Sequence, residues 1–550
     1  MAQAITGLVK APARLVPAVR SIGARGGRKR ALLAVLAGAS GAVAMPPFAF
    51  WPALIISFSL FVLLLDGACA DRSLKTCWRP AASTGWFFGF GYFLASLWWI
   101  GAAFLVDAAA FGWLLPVAVV AMPAGLALFT AFGAAVAALF WLPGGQRLFA
   151  FAAALTLSEW VRGHVLTGFP WNSFGYAFSQ SPALMQSAAL VGIWGLTYFA
   201  LLTLSAPVLL LEPGRMGWRR WVGPGLAAGL IVLATGWGLA RLRNHPLTMV
   251  PGVHLRIMQP SLPQDQKFRY VRSREILQDY LALSALPTAR APQGLKDVSV
   301  LIWPESAFPF VYEREPWAQE MIAAALPENV TLVTGAVRYG PPPPGQSSHF
   351  FNAIRVIDHD GQVRMNADKV HLVPFGEYLP FQNVLETLGL RQLTQLRGGF
   401  AAGTRLRPLH VPGLPLAAPL VCYEVIFPDA VMPIGSLRPE LMLNLTNDAW
   451  FGDTPGPYQH FAQARMRAVE QGLPLIRAAN SGISAIIGPM GQIVAYAPLN
   501  ARTVVDGPLP EPLKTPPLVA GHINVIAFGL LVSGFILAIC PWHRRNTRKS

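Results

Sequence analysis

Charge is scarce in this 550-residue sequence: Asp, Glu, Lys and Arg together make up 13% of it, about half of what globular domains carry. That excludes an ordinary soluble protein, and apolar residues dominate instead, at 53% with a mean hydropathy of +0.44. Acidic residues are the rarer sign, 27 against 43 Lys and Arg. The basic residues fall in short blocks between long apolar runs, which argues against a nucleic-acid-binding surface. Cysteine is rarer still. Four lie far apart with no CxxC and no Cys/His cluster, so neither a disulfide framework nor a zinc site is indicated. A secretory cleavage pattern is also missing. The basic residues 1–30 lead into one apolar run and then straight into a second, Trp51 to Leu65, so they read as a cytoplasmic tail before a retained helix.

Long apolar runs are what the sequence has in abundance. Crossing a bilayer takes about 20 mostly apolar residues, and candidate spans fall at 31–47, 51–68, 81–106, 112–141, 147–163, 183–211, 221–240 and 518–540. The distribution of Lys and Arg orients them. The N-terminal tail and the linkers after the second, fourth and sixth spans are basic, with Arg72, Lys75 and Arg79, then Arg147, then Arg215, Arg219 and Arg220. Linkers after the first and third spans hold neither residue. Seven crossings would place the following domain outside the cytoplasmic membrane, and an eighth would return the C-terminus. The expected organisation is a basic cytoplasmic tail at 1–30, seven transmembrane helices in 31–247, an extracytoplasmic domain at 248–510, and a last span with a basic tail at 511–550.

In that domain the pattern is α/β. Short apolar strands are expected at His254–Met258, Val298–Trp303, Thr331–Ala336, Ala353–Asp358, Leu416–Cys422, Leu441–Leu445 and Ser484–Gly488, with helices at Arg272–Ala285, Trp317–Ala325 and Tyr458–Gln471. Asn444-Leu445-Thr446 fits a glycosylation pattern but lies on an apolar strand. Pro341–Gly345 reads as a surface loop.

Three segments place a reactive side chain after a strand: Val300-Leu-Ile-Trp-Pro-Glu305, Asp368-Lys369-Val-His-Leu-Val-Pro-Phe-Gly-Glu377, and Leu420-Val-Cys422-Tyr-Glu424. Carboxyl ends of strands are where α/β sheets build sites. Taken singly, Glu305 reads as a helix cap, Lys369 as a solvated lysine and Cys422 as a packed thiol. Together they make a nucleophilic set. A thiol needs a base, which Glu305 suits, and a tetrahedral oxyanion needs positive charge or aimed donors, which Lys369 and the backbone N–H of Tyr423 suit.

These three motifs resemble the Glu–Lys–Cys triad of the nitrilase, or carbon–nitrogen hydrolase, superfamily, whose domains are αββα sandwiches. Asn444-Leu-Thr-Asn-Asp448-Ala-Trp450-Phe-Gly-Asp and Arg477-Ala-Ala-Asn-Ser-Gly482 are similar to it as well. With the spans and the segment Glu159-Trp-Val-Arg162…Gly168-Phe-Pro-Trp171-Asn172, the chain resembles the apolipoprotein N-acyltransferase family. The resemblance implies a polytopic α-helical membrane protein of about eight transmembrane helices carrying a nitrilase-like sandwich. It implies Glu305 as base, Lys369 as oxyanion-stabilising cation, Cys422 as nucleophile and Glu377 as the carboxylate that positions the lysine. Tyr423 and Glu424 match residues beside the nucleophile, and Trp450 a pocket aromatic. Phe268 stands near where members often have tryptophan.

The function so implied is transfer of a fatty acyl chain from a membrane phospholipid, through a Cys422 thioester, to the α-amine of an apolipoprotein's N-terminal diacylglyceryl-cysteine. The enzyme would be a monomer in the bacterial inner membrane, without metal or cofactor. An apolar stripe in Tyr378–Leu396 suggests a lid dipping toward the bilayer. The Glu159/Arg162 pair reads as lying near the membrane surface. A membrane-tethered amidase would use the same triad, but one span would suffice for tethering; a non-catalytic lipid transporter would leave the triad unexplained.

Overall fold

The structure is a computed structural model that describes residues 26–70, 73, 76–212, 217–264, 270–346, 348–387, 392–394, 399–435 and 437–540. It divides into two compact units: residues 1–98, 117–243 and 521–550 form one, and residues 99–116 and 244–520 the other.

The first unit is helical. Each of the seven leading apolar runs holds a helix: α1 (Gly27–Gly41), α2 (Ala53–Cys69), α3 (Trp78–Leu97), α4 (Leu115–Leu139), α5 (Gln146–His164), α6 (Ala188–Ser205) and α7 (Val222–Asn244). Among the described residues, four helical stretches are long and apolar enough to cross a membrane: Trp78–Leu105, Ala108–Leu139, Ala188–Leu211 and Gly217–Asn244. α2 is apolar but shorter. Charge sets α1 and α5 apart, because α1 begins with Arg28, Lys29 and Arg30 while α5 carries Arg147, Glu159 and Arg162. α1 and α3 pack backbone to backbone. A Cβ at Gly38 would run into the Phe88 carbonyl, and one at Gly91 into that of Val35. Small residues permit such close approach in membrane bundles.

The third run is helical from Trp78 to Leu105, but its winding changes: α3 ends at Leu97, Trp98–Leu105 continues as a 3₁₀ stretch, and residues from Trp99 group with the second unit. There the Trp99 indole N–H donates to Gln459 Oε1 at 3.0 Å and its ring lies 4.7 Å from Phe451. Glu159 and Arg162 pair within the helical unit. Both side chains are buried, and the guanidinium also donates to the carbonyls of Phe169 and Trp171. It thereby holds an irregular segment whose Asn172 carbonyl accepts from Tyr92 Oη at 2.7 Å. Irregular backbone survives in a helical bundle only when its polar groups find such partners.

The second unit is two sheets packed face to face. The first has the order β11-β1-β2-β3-β4-β5: β1 (Met249–Gln259), β2 (Val300–Ile302), β3 (Thr331–Tyr339), β4 (Phe350–Ile357), β5 (Val363–Asp368) and β11 (Thr503–Pro510). The second has the order β10-β9-β8-β7-β6: β6 (Ala417–Val421), β7 (Leu441–Thr446), β8 (Leu475–Ala479), β9 (Ser484–Ile487) and β10 (Ile493–Ala497). β1, β2 and β3 are parallel, as are β6, β7 and β8. Between the sheets Ile257, Ile302, Val333 and Val356 meet Val421, Leu443, Leu445 and Ile476. Helices α8 (Ser273–Ser284) and α9 (Pro316–Ala325) cover the outer face of the first sheet, placing Ile276, Leu277, Tyr280 and Ile322 with Leu301, Trp303 and Leu332.

A short α10 (Gln382–Thr387) follows the first sheet, and α11 (Pro455–Gln471) packs on β8 of the second. Thr454 caps α11 by accepting from the Gly456 N–H at 3.2 Å, Pro455 opens it, and Gly472 at φ +63° ends it in the left-handed conformation that glycine tolerates. The chain then rejoins the first unit as α12 (Ile523–Ile539), packed on α5 and α6.

All seven expected strands and all three expected helices are present. β5, β8, β10 and β11 were not anticipated. The expected lid is helical only over α10; Phe381 ahead of it has φ +53° and an exposed ring, and residues 388–391 and 395–398 lie outside the described residues. Asn444 is fully buried within β7, as its apolar run suggested.

Candidate active site

Each reactive residue arrives where a strand runs out. After β2 come Trp303, whose indole N–H donates to Ser284 Oγ at 2.9 Å, then Pro304 and Glu305. The turn presses against β3: the Ala307 N–H donates to the Gly335 carbonyl at 2.7 Å, and a Cβ on Gly335 would stand 2.5 Å from Glu305 Cα. Only glycine fits there.

Lys369 follows β5. Its backbone N–H donates to the Asn352 carbonyl at 2.8 Å, and its ammonium lies 2.8 Å from Glu377 Oε2 and 3.8 Å from Glu305 Oε1. The ammonium is 1% exposed. Burial alone would lower its pKa, but the carboxylates of Glu377 and Glu305 outweigh that and hold it above the usual lysine range. Lys369 is therefore a fixed cation. β5 itself is not the apolar strand expected before it; it is the rim of the first sheet, with Arg364, Asn366 and Asp368 along it.

Cys422 follows β6 from the opposite sheet. It has φ +51° and opens the 3₁₀ turn Cys422–Ile426. A non-glycine residue in this region stores strain, which is common where a nucleophile must project from a sharp strand-to-helix bend. Burial pushes its thiol well above the ordinary range; Glu305 adds to that, and Lys369 opposes it. The thiol is therefore held in its neutral form. Glu305, Lys369 and Cys422 thus come from loops of two sheets into one buried set.

The comparisons with known proteins follow the same division. Residues 266–511 match the carbon–nitrogen hydrolase family, and residues 37–206 match the apolipoprotein N-acyltransferase N-terminal domain. An apolipoprotein N-acyltransferase of Rhodopseudomonas palustris is 49% identical over 92% of this chain and 94% of its own length. That of Bradyrhizobium diazoefficiens is 48% identical over 95% and 96%. The chain belongs to the apolipoprotein N-acyltransferase family. Among solved structures, an amidase of Nesterenkonia sp. AN1 from the nitrilase superfamily is similar at 19% identity, covering 50% of this chain and 95% of its own, with a TM-score of 0.34.

In this member of the N-acyltransferase family, Glu424 ties the lysine loop to the nucleophile turn. Its carboxylate accepts from the backbone N–H groups of Val370 at 2.7 Å, His371 at 3.0 Å and Val421 at 2.7 Å. Glu377 Oε2 also accepts from the Val373 N–H at 2.8 Å, which fixes the carboxylate that holds Lys369. Tyr423 packs its ring on His371 and Phe427. Trp450 sits half-buried in the turn Asp448–Phe451 beyond β7. Phe268 lies outside the described residues.

Two contributors were not legible beforehand. Asn352 in β4 donates to both Glu305 and Glu377. His460 in α11 places Nε2 3.2 Å from the Cys422 carbonyl and Nδ1 2.8 Å from Asp448 Oδ1. Asp448 Oδ2 pairs with the Arg477 guanidinium at 2.7 Å, so a buried Asp448–His460–Arg477 group underlies the nucleophile's backbone. Burial alone would raise the Asp448 carboxyl, but Arg477 and His460 hold it down to about 2. Among the described residues one cluster has metal-ligand character, Asp358, His359 and Asp360. It is the turn between β4 and β5, where Asp358 accepts from the Gln362 N–H and pairs with Arg364.

Proposed function

We propose that the protein moves a fatty acyl chain from a membrane phospholipid to the α-amine of the N-terminal diacylglyceryl-cysteine of apolipoproteins, through a thioester on Cys422. The observation that carries this reading is the buried set in which one fixed ammonium stands between two carboxylates while a neutral thiol lies in their field. Glu305 takes the thiol proton as Sγ attacks the ester carbonyl. The ammonium of Lys369 and the backbone N–H of Tyr423 hold the oxyanion. Collapse breaks the ester C–O bond, and Glu305 returns the proton to the departing lysophospholipid oxygen. The acceptor amine then adds to the thioester, loses its proton to Glu305, and the thiolate leaves and is reprotonated. Aimed charge acting on a buried oxyanion is the largest contribution such a site makes.

The membrane part supports a lipid donor. Helices at all eight apolar runs fit eight crossings, with residues 248–510 on the periplasmic face of the bacterial inner membrane, both termini in the cytoplasm, and a monomeric enzyme. An amidase needs no such bundle. The test is mass spectrometry of the purified protein mixed with phospholipid. An acyl adduct on the Cys422 peptide is expected, absent from Cys422→Ala, and near-normal N-acylation of a lipopeptide by that variant refutes the reading.

A further inference from the structure

Asn352 lies in the middle of β4, in the run Phe350-Phe-Asn-Ala-Ile-Arg-Val-Ile, and is 2% exposed. Its Nδ2 donates to Glu305 Oε1 at 2.7 Å and to Glu377 Oε1 at 2.8 Å. Lys369 spans the same two carboxylates with its ammonium. Two carboxylates, one ammonium and one amide therefore close a ring. The ring carries one negative charge more than positive, and like charges held together drive one carboxyl toward its neutral form. The amide counters this without charge, giving one N–H to each carboxylate. Meanwhile its Oδ1 is buried with no hydrogen-bond partner among the described residues. A stranded buried acceptor costs stability. A leucine would fill the same space without it, so packing alone does not account for an amide here.

We infer that Asn352 is a positioning residue that keeps Glu305 ionised and separate from the Glu377–Lys369 pair, so that Glu305 stays available as the base. This rests on the role given to Glu305 above. The charged and titratable groups around the ring are Lys369 and Glu377 from the loop after β5, Cys422 from the end of β6, Glu424 from the turn that follows, whose carboxyl acts on Lys369, and Asp448, whose charge reaches Cys422, from the end of β7. A hydrogen bond to the ionised form lowers an acid's pKa, so losing it raises the acidic limb of the base-dependent step.

The experiment follows single-turnover acyl-adduct formation on Cys422 against pH, with a dioleoyl phospholipid in mixed micelles, in the full-length protein and in Asn352→Leu and Asn352→Ser. The limb should move up by about one pH unit in Asn352→Leu and by less in Asn352→Ser, which keeps one donor, with most of the rate recovered above the limb. Rates lowered equally at every pH, or a limb that stays in place in Asn352→Ser, overturn the inference. Alkylation of the Cys422 peptide by iodoacetamide reads the same base without an acyl donor. If the wild type forms no adduct while its alkylation limb still moves in the variants, the acyl-transfer reading fails and the role of Asn352 stands.

Discussion

Removing the Asp448 carboxylate tests whether the buried group under the nucleophile is electrostatic in character. Asp448 is 1% exposed and accepts from Arg477, His460 and Thr446 at 2.7, 2.8 and 3.0 Å. Its pKa falls from 3.8 to about 2 on folding, a shift of somewhat under two units, or roughly 2 kcal/mol at neutral pH. Because the folded value is the lower one, this stability is present above about pH 4 and is lost as pH falls toward 2. Asp448→Asn removes it and also turns an amide N–H₂ toward the Arg477 guanidinium, which has no exposed surface. Breaking one side of such a buried pair costs about 3–5 kcal/mol, so the single variant should fall at the upper end. Asp448→Asn/Arg477→Met removes both charges and should recover part of the loss. The assay is denaturant unfolding of the detergent-solubilised protein at neutral pH and along an acid series, with the four corners of the cycle giving the coupling. Unfolding of Asp448→Asn that keeps the wild-type acid dependence, or a coupling near zero, would refute the argument.

Glu305→Gln should block adduct formation on Cys422, whereas Lys369→Met should slow both acylation and discharge to a diacylglyceryl-cysteine peptide, each by about 10²–10³-fold; normal acylation by Glu305→Gln in single-turnover kinetics would move the base elsewhere. Lys369→Arg should not rescue, because a planar guanidinium places its donors differently from an ammonium. Gly335→Ala forces the Glu305 turn away from β3, since the new Cβ meets backbone atoms at 2.5 to 2.9 Å, and should cost both thermal stability and acylation rate; wild-type kinetics in that variant would show that the turn is not clamped. A cysteine probe in the Pro341–Gly345 loop should react with a membrane-impermeant maleimide in intact spheroplasts while one near Ser550 stays unlabelled, and the reverse pattern would overturn the topology.

How much of this could be read in the sequence depended on whether polarity followed burial. Strands such as Leu441–Thr446 announce themselves because both faces are buried and four of the six positions are Leu or Met. β5 does not, because it is a rim strand with polar residues facing out, yet it delivers Lys369. β8 was hidden by Arg477, a charged residue fully buried in the strand where Asp448, Asn444 and His460 make it tolerable. Asn352 and His460 carried no local signal for the same reason. A lone polar residue in an apolar strand or helix shows its purpose only when residues distant in the chain become its partners. Glu305, Lys369 and Cys422 stood out through the motifs around them, and the helical runs because hydropathy is a local property. The point at which α3 gives way to 3₁₀ winding, by contrast, lies beside Trp99, whose partner Gln459 is 360 residues away in the chain.

β1 and β11 are the first and last strands of the sandwich, and they pair antiparallel from Met249↔Pro510 to Gln259↔Thr503. The entering and leaving chain therefore form one double-stranded stalk within the first sheet. Its first strand lacks one neighbour until nearly the whole domain has been synthesised, so closure of the sheet is one of the last events of translation. The reactive loops, all made earlier, wait on that zipper. Insertions or new termini placed at the far loops would leave the stalk intact, whereas a chain cut before Thr503 would lose it along with the final helix.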